Sequence, residues 1–264
     1  MSSLDKEFDS NPTYFTDIHC HCLAGMDDGP VDMRESLNLC RSLADDGVGR
    51  VIATTHQLGR YEGLNQAQQI RKAVIQLNQK LKDEKISLEV YPGAEIRVDE
   101  RICELLNEDK VLSLADKGRH ILVEFPHNIF FDIEPLLIDL EAMGISVVIS
   151  HPESNNALLK ELSLVAKWGV YLQVDAASVV GEFSVSVQKS AWTLLESGLA
   201  NFIGTDSHNI TTRAPRMRLA FRKIINRLGE KKARDLCIDN PSSLLGGEKI
   251  YKLQISGNLR NGRL

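Results

Sequence analysis

The sequence has no apolar run approaching the roughly 18–20 residues that a membrane-crossing helix needs. Its opening, MSSLDKEFDSNPTYF, is polar and acidic and lacks the basic and apolar regions of a secretory signal. A cytoplasmic protein without stable membrane insertion is therefore expected. Cysteine is sparse and odd in number: Cys20, Cys22, Cys40, Cys103 and Cys237 in 264 residues. Without an export signal, that predicts reduced thiols rather than a disulfide framework. Cys20-His21-Cys22 lacks the second Cys pair of a thiolate zinc site, so these two thiols read as small core fillers. Positive charge is not in excess either, with 31 Lys+Arg against 36 Asp+Glu for a net −5. A nucleic-acid partner, which calls for a basic stripe, is disfavoured. No G-x-x-x-x-G-K-[S/T] loop occurs, which removes a P-loop nucleotide enzyme. The residues six beyond each cysteine are Met26, Asp28, Asp46, Asp109 and Ser243. None is arginine, so the thiolate route to phosphate esters through C-x5-R is absent.

What is present is ample apolar material, 43% of the chain, arranged in two periods. Seven short apolar runs are strand candidates: Tyr14–Ile18, Arg50–Thr54, Leu88–Tyr91, Ile121–Phe125, Ser146–Ser150, Tyr171–Val174 and Phe202–Gly204. Their near-continuous apolar character suits strands buried on both faces. Between them lie helical stripes: Met33, Leu37, Cys40 and Ala44 after an Asp32/Glu35 cap pair; Ile70, Val74, Leu77 and Leu81; Ile133, Leu136, Leu137 and Leu140; and Leu158, Leu159, Leu162 and Val165. Further helices are expected over Ser186–Ser197, Arg216–Leu228 and Glu230–Cys237, the last ending before an Asn240-Pro241 break. This alternation predicts one α/β domain over 1–264, with a core of about 14–246 and extensions at 1–13 and 247–264. The stretch from Gly246 to Leu264, with Lys249, Lys252, Arg260 and Arg263, reads as a loose basic tail. The length fits a (β/α) barrel of roughly 250 residues, here a distorted seven-stranded TIM-like one. An open doubly wound sheet is the alternative.

Only seven histidines occur, and five of them fall at predicted strand ends. The first strand runs into Asp17-Ile18-His19-Cys20-His21, where residues two apart face the same way. Asp27-Asp28-Gly29 follows as an acidic turn. The next strands end in His56, Glu95, Glu124 and His151, and the seventh in Thr205-Asp206-Ser207-His208. Active sites of barrel enzymes are built on that rim. His19, His21, Asp28, His56, Glu95, Glu124, His151, Asp206 and His208 thus form a candidate metal-ligand set. Singly, each reads more simply as a hydrogen-bonded structural residue or a helix cap; jointly they point to ions. Mixed nitrogen and oxygen donors suit Mn, Fe or Zn, and nine ligands suit two or three ions. Such ions lower the pKa of a bound water toward 7 and favour hydrolysis, phosphoryl transfer above all. A phosphate substrate also calls for a guanidinium fork. Arg213 follows His208 on the departing loop and is preferred over Arg216 for that role. His120, which precedes its strand, reads as a surface residue, and His127 is left between the surface and a supporting role.

These motifs together resemble the polymerase-and-histidinol-phosphatase (PHP) family. Within it, D-I-H-x-H with D-D-G, G-A-E-I (Gly93–Ile96), E-F-P (Glu124–Pro126), S-H-P-E (Ser150–Glu153), T-D-x-H-N (Thr205–Asn209) and I-D-N-P (Ile238–Pro241) resemble the CpsB/CapC branch of bacterial manganese-dependent protein-tyrosine phosphatases. The resemblance covers about Thr16 to Leu245. It implies one ion between His19, His21, Glu95 and Asp206, a second at Glu95, Glu124 and His151, and a third at Asp28, His56 and His208. It implies Mn2+, with Fe, Zn, Co or Mg as substitutes, and a metal-activated hydroxide attacking phosphotyrosine. Arg213, Asp206 and His208 are the expected catalytic residues, with Arg213 and Arg216 binding substrate. The implied partner is a bacterial tyrosine kinase of capsule or exopolysaccharide export, and self-association is left open. A small-molecule phosphatase, such as one for histidinol phosphate, is the alternative; a non-catalytic phosphotyrosine-binding module is the other. Two departures stand out. Ser154 occupies a position where the branch often has Arg, and Gln57 one where it often has His.

Overall fold

A computed structural model describes residues 15–248 and Ile250. Seven strands carry the fold: β1 (Phe15–Cys20), β2 (Val48–Gln57), β3 (Glu89–Arg97), β4 (His120–Glu124), β5 (Ser146–Ser150), β6 (Tyr171–Asp175) and β7 (Ala200–Gly204). They pair in parallel in sequence order. The β7 and β1 edges meet at their C-terminal ends. There Asp206 N donates to His19 O at 2.8 Å, His21 N donates to Ser207 O at 2.9 Å, and Cys20 bridges to Ser207. Asp17 reinforces the seam by accepting Thr205 N at 3.0 Å and Thr205 Oγ1 at 2.5 Å. The result is a nearly closed, distorted barrel, and the open-sheet alternative falls away.

Helices follow each strand: α1 (Met33–Asp45) after β1, α2 (Ala67–Asp83) after β2, α3 (Ile102–Asn107) after β3 and α4 (Glu134–Ala142) after β4. α5 (Asn156–Lys160) and α6 (Leu162–Val165) follow β5, and α7 (Ala176–Val180) and α8 (Val185–Ser197) follow β6. α9 (Met217–Leu228), α10 (Glu230–Arg234) and α11 (Asn240–Gly246) complete the described chain. The two apolar faces of the strands serve two cores, as a barrel requires. Inward residues Ile18, Ile52, Leu122, Val148, Tyr171 and Phe202 fill the interior, packed with Leu114, Ala115, Leu244 and Leu245. Outward residues such as Val51, Val123, Ile149, Val174 and Ile203 meet the helices. Leu39 and Leu43 of α1 and Ile70, Val74, Leu77 and Leu81 of α2 are the buried stripe of their helices. Burying each such side chain stabilises by about 1.5–3 kcal/mol. Cys20 and Cys22 are fully buried in this outer layer.

Four sequence expectations need correction. β3 does not stop at Tyr91 but runs through Pro92 and Gly93 to Arg97. Strand packing explains the glycine: a Cβ there would lie 2.5 Å from Ile52 Cγ2. Glu95 therefore sits inside a strand. The stripe from Leu158 to Val165 is split between α5 and α6. Asn240-Pro241 does not break the chain, because a wide turn over Asp235–Asp239 leads straight into α11. Pro241 lies in the first turn of α11, directly after the Asn240 N–H that closes the wide turn onto Asp235 O. His120 is not a surface residue. It is 6% exposed, faces the Tyr171 ring at 6.1 Å, and burial together with Arg119 lowers its pKa to about 4. Residues 1–14, 249 and 251–264, which include Tyr14, the N-terminal extension and Lys249, Lys252, Arg260 and Arg263 of the basic tail, lie outside the described residues.

Candidate metal centre

The C-terminal rim of the barrel gathers all nine predicted ligands. Their donor atoms form four overlapping groups: His21, Asp28, His56 and His208; His19, His21 and Glu95; His19, His151 and Asp206; and His56, Glu95 and Glu124. A register shift between Asp17 and Cys20 interrupts the alternation of β1, so His19 faces the interior although its neighbour Ile18 does too, and His21, two residues on, shares that side, with the two Nε2 atoms 3.3 Å apart. Both Nε2 atoms lie 3.5 Å from Glu95 Oε2, and 3.3 and 3.5 Å from Asp206 Oδ1. His56 Nδ1 stands 3.1 Å from Glu95 Oε2 and 3.8 Å from Glu124 Oε2, while His151 Nε2 is 3.0 Å from Glu95 Oε1. Asp28 Oδ1 meets His56 Nε2 at 3.4 Å and His208 Nε2 at 3.3 Å. Glu95 thus belongs to two of the four groups and approaches imidazoles of the other two, His21 and His56 of one and His19 and His151 of the other.

Partners behind the imidazoles set their orientation. His21 Nδ1 donates to Asp27 Oδ2 at 2.7 Å, His19 Nδ1 to Gln173 Oε1 at 2.8 Å, and His208 Nδ1 to the Asp206 carbonyl at 3.0 Å. A donor role at Nδ1 leaves the Nε2 lone pairs of His19 and His21 pointed into the centre, while that of His208 accepts from Arg213 Nη1. Ser150 Oγ donates to Glu95 Oε1 at 2.5 Å, and Arg97 pairs with Glu124 at 2.8 Å. Two candidate ligands hold left-handed backbone, His151 at φ 30° and Asp206 at φ 48°. Such strain costs about 1–3 kcal/mol and collects at functional sites.

The electrostatics fit cations. Burial disfavours the charged form of His19, yet Glu95 and Asp206 outweigh it and lift its pKa to about 9. Burial also opposes ionisation of Glu95, but the imidazoles around it hold its carboxyl low, and Asp206 behaves likewise. Glu124 moves the other way, raised by burial and by the Glu95 charge. Glu95 Oε2 and Asp206 Oδ1 are buried and accept no hydrogen bond. Two orphaned carboxylate oxygens facing two Nε2 lone pairs form a donor set that a divalent ion completes.

The two candidate arginines differ in setting. The guanidinium of Arg213 bonds to Asp206 Oδ2 and lies 3.0 Å from His208 Nε2. The Arg213 carbonyl also accepts from His208 N, folding the loop back on the rim. Arg216 bonds instead to Glu182 and to the Pro215 carbonyl. His127 is exposed and meets Asn128 at 2.9 Å, away from the cluster. Gln57 alternates with His56 and faces the other way. It ties loops through Asn65 O at 2.6 Å, Lys110 O at 3.1 Å and Leu112 N at 2.9 Å.

Sequence reasoning overlooked the supporting carboxylates and amides of β6. Gln173 also donates to Asp175 Oδ1 at 2.9 Å, and Glu153 Oε1 accepts from Asp175 N at 2.9 Å. Burial raises the pKa of Asp175 and of Glu153. A polar pair inside the apolar run Tyr171–Asp175 was the available signal.

Comparison with known proteins agrees with this geometry. The family described as "Capsular polysaccharide synthesis, CpsB/CapC" matches residues 15–246. The tyrosine-protein phosphatase YwqE of Bacillus subtilis is 36% identical over 206 residues, 75% of this chain and 78% of its own. The tyrosine-protein phosphatase CpsB of Streptococcus pneumoniae is 30% identical over 244 residues, 89% of this chain and 99% of its own. A crystal structure from work on YwqE and CpsB, described as unique metal-dependent tyrosine phosphatases, superposes with a TM-score of 0.86 at 32% identity, covering 91% of this chain and 98% of that one. Fold, rim and sequence together make this chain a member of the CpsB/CapC family.

Proposed function

We propose that the protein is a metal-dependent phosphatase of protein phosphotyrosine. One observation carries the chemistry: nine imidazole and carboxylate side chains converge on a single barrel rim. The relatives named tyrosine-protein phosphatases support the substrate class. A first ion would be held by His19, His21, Glu95 and Asp206, a second by Glu95, Glu124 and His151, and a third by Asp28, His56 and His208, so that Glu95 would serve two of them. Mn2+ is the proposed ion, in keeping with mixed nitrogen and oxygen donors. Bound there, such ions supply Lewis acidity and bring the pKa of a coordinated water toward 7.

The chain's own residues do the rest. Asp27 and Gln173 hold His21 and His19 in the ligating tautomer. Asp206 and His208 hold Arg213 at the edge of the centre, where its partly exposed guanidinium is the proposed contact for phosphoryl oxygens. Arg216, tied to Glu182, is the weaker candidate for that contact. A tyrosine phenolate has a conjugate-acid pKa near 10, so it leaves with little help from a protein acid. No protein nucleophile is required, in line with Cys20 and Cys22 being wholly buried. The proposed physiological substrate is the phosphotyrosine tail of a cytoplasmic tyrosine kinase domain that drives polysaccharide export, which the family's capsular description supports.

The test is a side-by-side assay of a phosphotyrosine peptide and histidinol phosphate with added Mn2+. The peptide should be preferred, and activity should vanish on exhaustive chelation and return with Mn2+. Activity that survives chelation, or a Glu95→Ala variant with near-normal turnover, refutes the metal reading. Preference for histidinol phosphate replaces the substrate reading, and binding without turnover by the loaded protein replaces the catalytic one.

A further inference from the structure

We propose that Arg60 is a second phosphoryl-binding guanidinium, set across the metal centre from Arg213. The inference rests on the phosphatase reading of this rim. Asp28 divides its two oxygens between two tasks. Oδ1 faces inward, 3.4 Å from His56 Nε2 and 3.3 Å from His208 Nε2. Oδ2 faces outward and accepts from Arg60 Nη2 at 2.8 Å. On the other side, Arg213 Nη1 lies 3.0 Å from the same His208 Nε2. Arg60, Asp28, His208 and Arg213 therefore form one continuous line of contacts. Two guanidiniums bracket the Asp28–His208 pair, and a phosphoryl group seated over that pair meets a cation from each side.

The local sequence explains why Arg60 is there. β2 ends at Gln57, and the chain then reverses through left-handed backbone at Leu58, φ 66°, and Gly59, φ 58°. Gly59 also lets the Arg97 side chain approach, since a Cβ there would sit 3.2 Å from Arg97 Cγ. The short turn Gly59–Tyr61 is thereby folded over the rim. Tyr61 stacks on the His56 ring, with centroids 5.2 Å apart and planes at 9°. The Arg60 guanidinium lies 4.7 Å above the Tyr61 ring. An aromatic base and a carboxylate hold the fork in place, yet the side chain is 65% exposed, so it meets an arriving ligand without rearranging the core. The charge also has a chemical reason. A phosphate dianion is bound best by more than one fork. Arg60 supplies that charge from a different loop.

The rival is that Arg60 only braces Asp28. Calorimetric titration of the manganese-loaded protein with inorganic phosphate separates the two, with metal content measured alongside. Arg60→Ala should weaken phosphate binding about tenfold to a hundredfold at full metal content, the loss expected for charge-assisted bonds. Arg60→Lys should recover part of it, and the KM for a phosphotyrosine peptide should rise in step. Equal phosphate affinity in wild type and Arg60→Ala overturns the proposal. So does a fall in metal content with unchanged phosphate affinity per loaded centre. The calorimetry stands apart from the substrate reading: a wild type that binds phosphate through Arg60 but turns over no phosphotyrosine refutes that reading alone.

Discussion

Replacing Asp27 by Asn tests how far the centre depends on a carboxylate that is not itself among the nine. Asp27 Oδ2 accepts from His21 Nδ1 at 2.7 Å and from His56 N at 3.1 Å, and Oδ1 accepts from Gly29 N at 3.0 Å. The side chains of Asp27 and His21 are both fully buried. Burial opposes ionisation of Asp27, but the His21 charge and these donors outweigh it and bring its pKa down to about 2. An amide accepts through one oxygen only. With that oxygen on His21, the amide N–H groups confront the Gly29 N–H; flipped, they confront His21 Nδ1 and unseat its tautomer. The lost charge-assisted bond costs about 1.5–3 kcal/mol, and an unpaired buried donor about 1–3 kcal/mol. The share that reaches the ion is the orientation and basicity of His21, for which a supporting partner is worth roughly 10–100-fold in metal affinity, or about 1.4–2.8 kcal/mol. Titrating metal-stripped protein with Mn2+, reading bound metal and phosphotyrosine hydrolysis together, should show Kd raised by that factor. The kcat at saturating Mn2+ should stay within a few-fold of wild type, because Asp27 touches no substrate. An unchanged Kd refutes the reasoning. An unchanged Kd with kcat lost places Asp27 on the substrate instead.

Arg213→Ala should lower kcat/KM for a phosphotyrosine peptide by about a hundredfold while metal content stays full; unchanged kinetics would move the clamp elsewhere. His120, held at about 4 when folded against 6.5 ordinarily, makes stability depend on pH. Between those values the unfolded chain binds more protons, so this contribution is complete above 6.5 and is lost as pH falls toward 4, by about 2 kcal/mol at pH 5. His120→Leu should remove that share of the pH 7-to-5 difference in urea unfolding free energy, and equal differences in both proteins refute the assignment.

The strands and the nine rim residues were legible for one reason. In parallel barrels a strand's apolar run stops where its active-site side chain begins, so strand end and chemistry are written side by side, as in Ile149-Ser150-His151. β3 escaped because Pro92 and Gly93 mimic a turn; only the closeness of Ile52 across the sheet explains a glycine inside a strand. His120 escaped because its burial depends on Tyr171, far along the chain. The supports of the centre escaped for the same reason. Gln173 reaches His19 across 154 positions, and neither local propensity nor spacing encodes that pairing. Arg60 is a surface arginine in sequence; only the left-handed turn at Leu58 and Gly59 brings it to Asp28.

Barrel closure and ligand placement are built from the same bonds. The seam between β7 and β1 is drawn together by His19 O with Asp206 N, by His21 N with Ser207 O, and by Asp17 with Thr205. Each bond joins the two segments that supply His19, His21, Asp206 and His208. Opening the seam therefore disperses four proposed ligands at once, and an ion bound among them resists that opening. The unpartnered buried Asp206 Oδ1 and the left-handed backbone of the same residue are the costly features of this seam, and a cation there would offset them. By mass action, an ion held at a hundred times its Kd adds about 2.7 kcal/mol to the folded state. Among the described residues the β7 and β1 edges of this seven-stranded barrel join at the rim, so an ion at the proposed centre would be part of the closure. Function and fold meet at the same few residues.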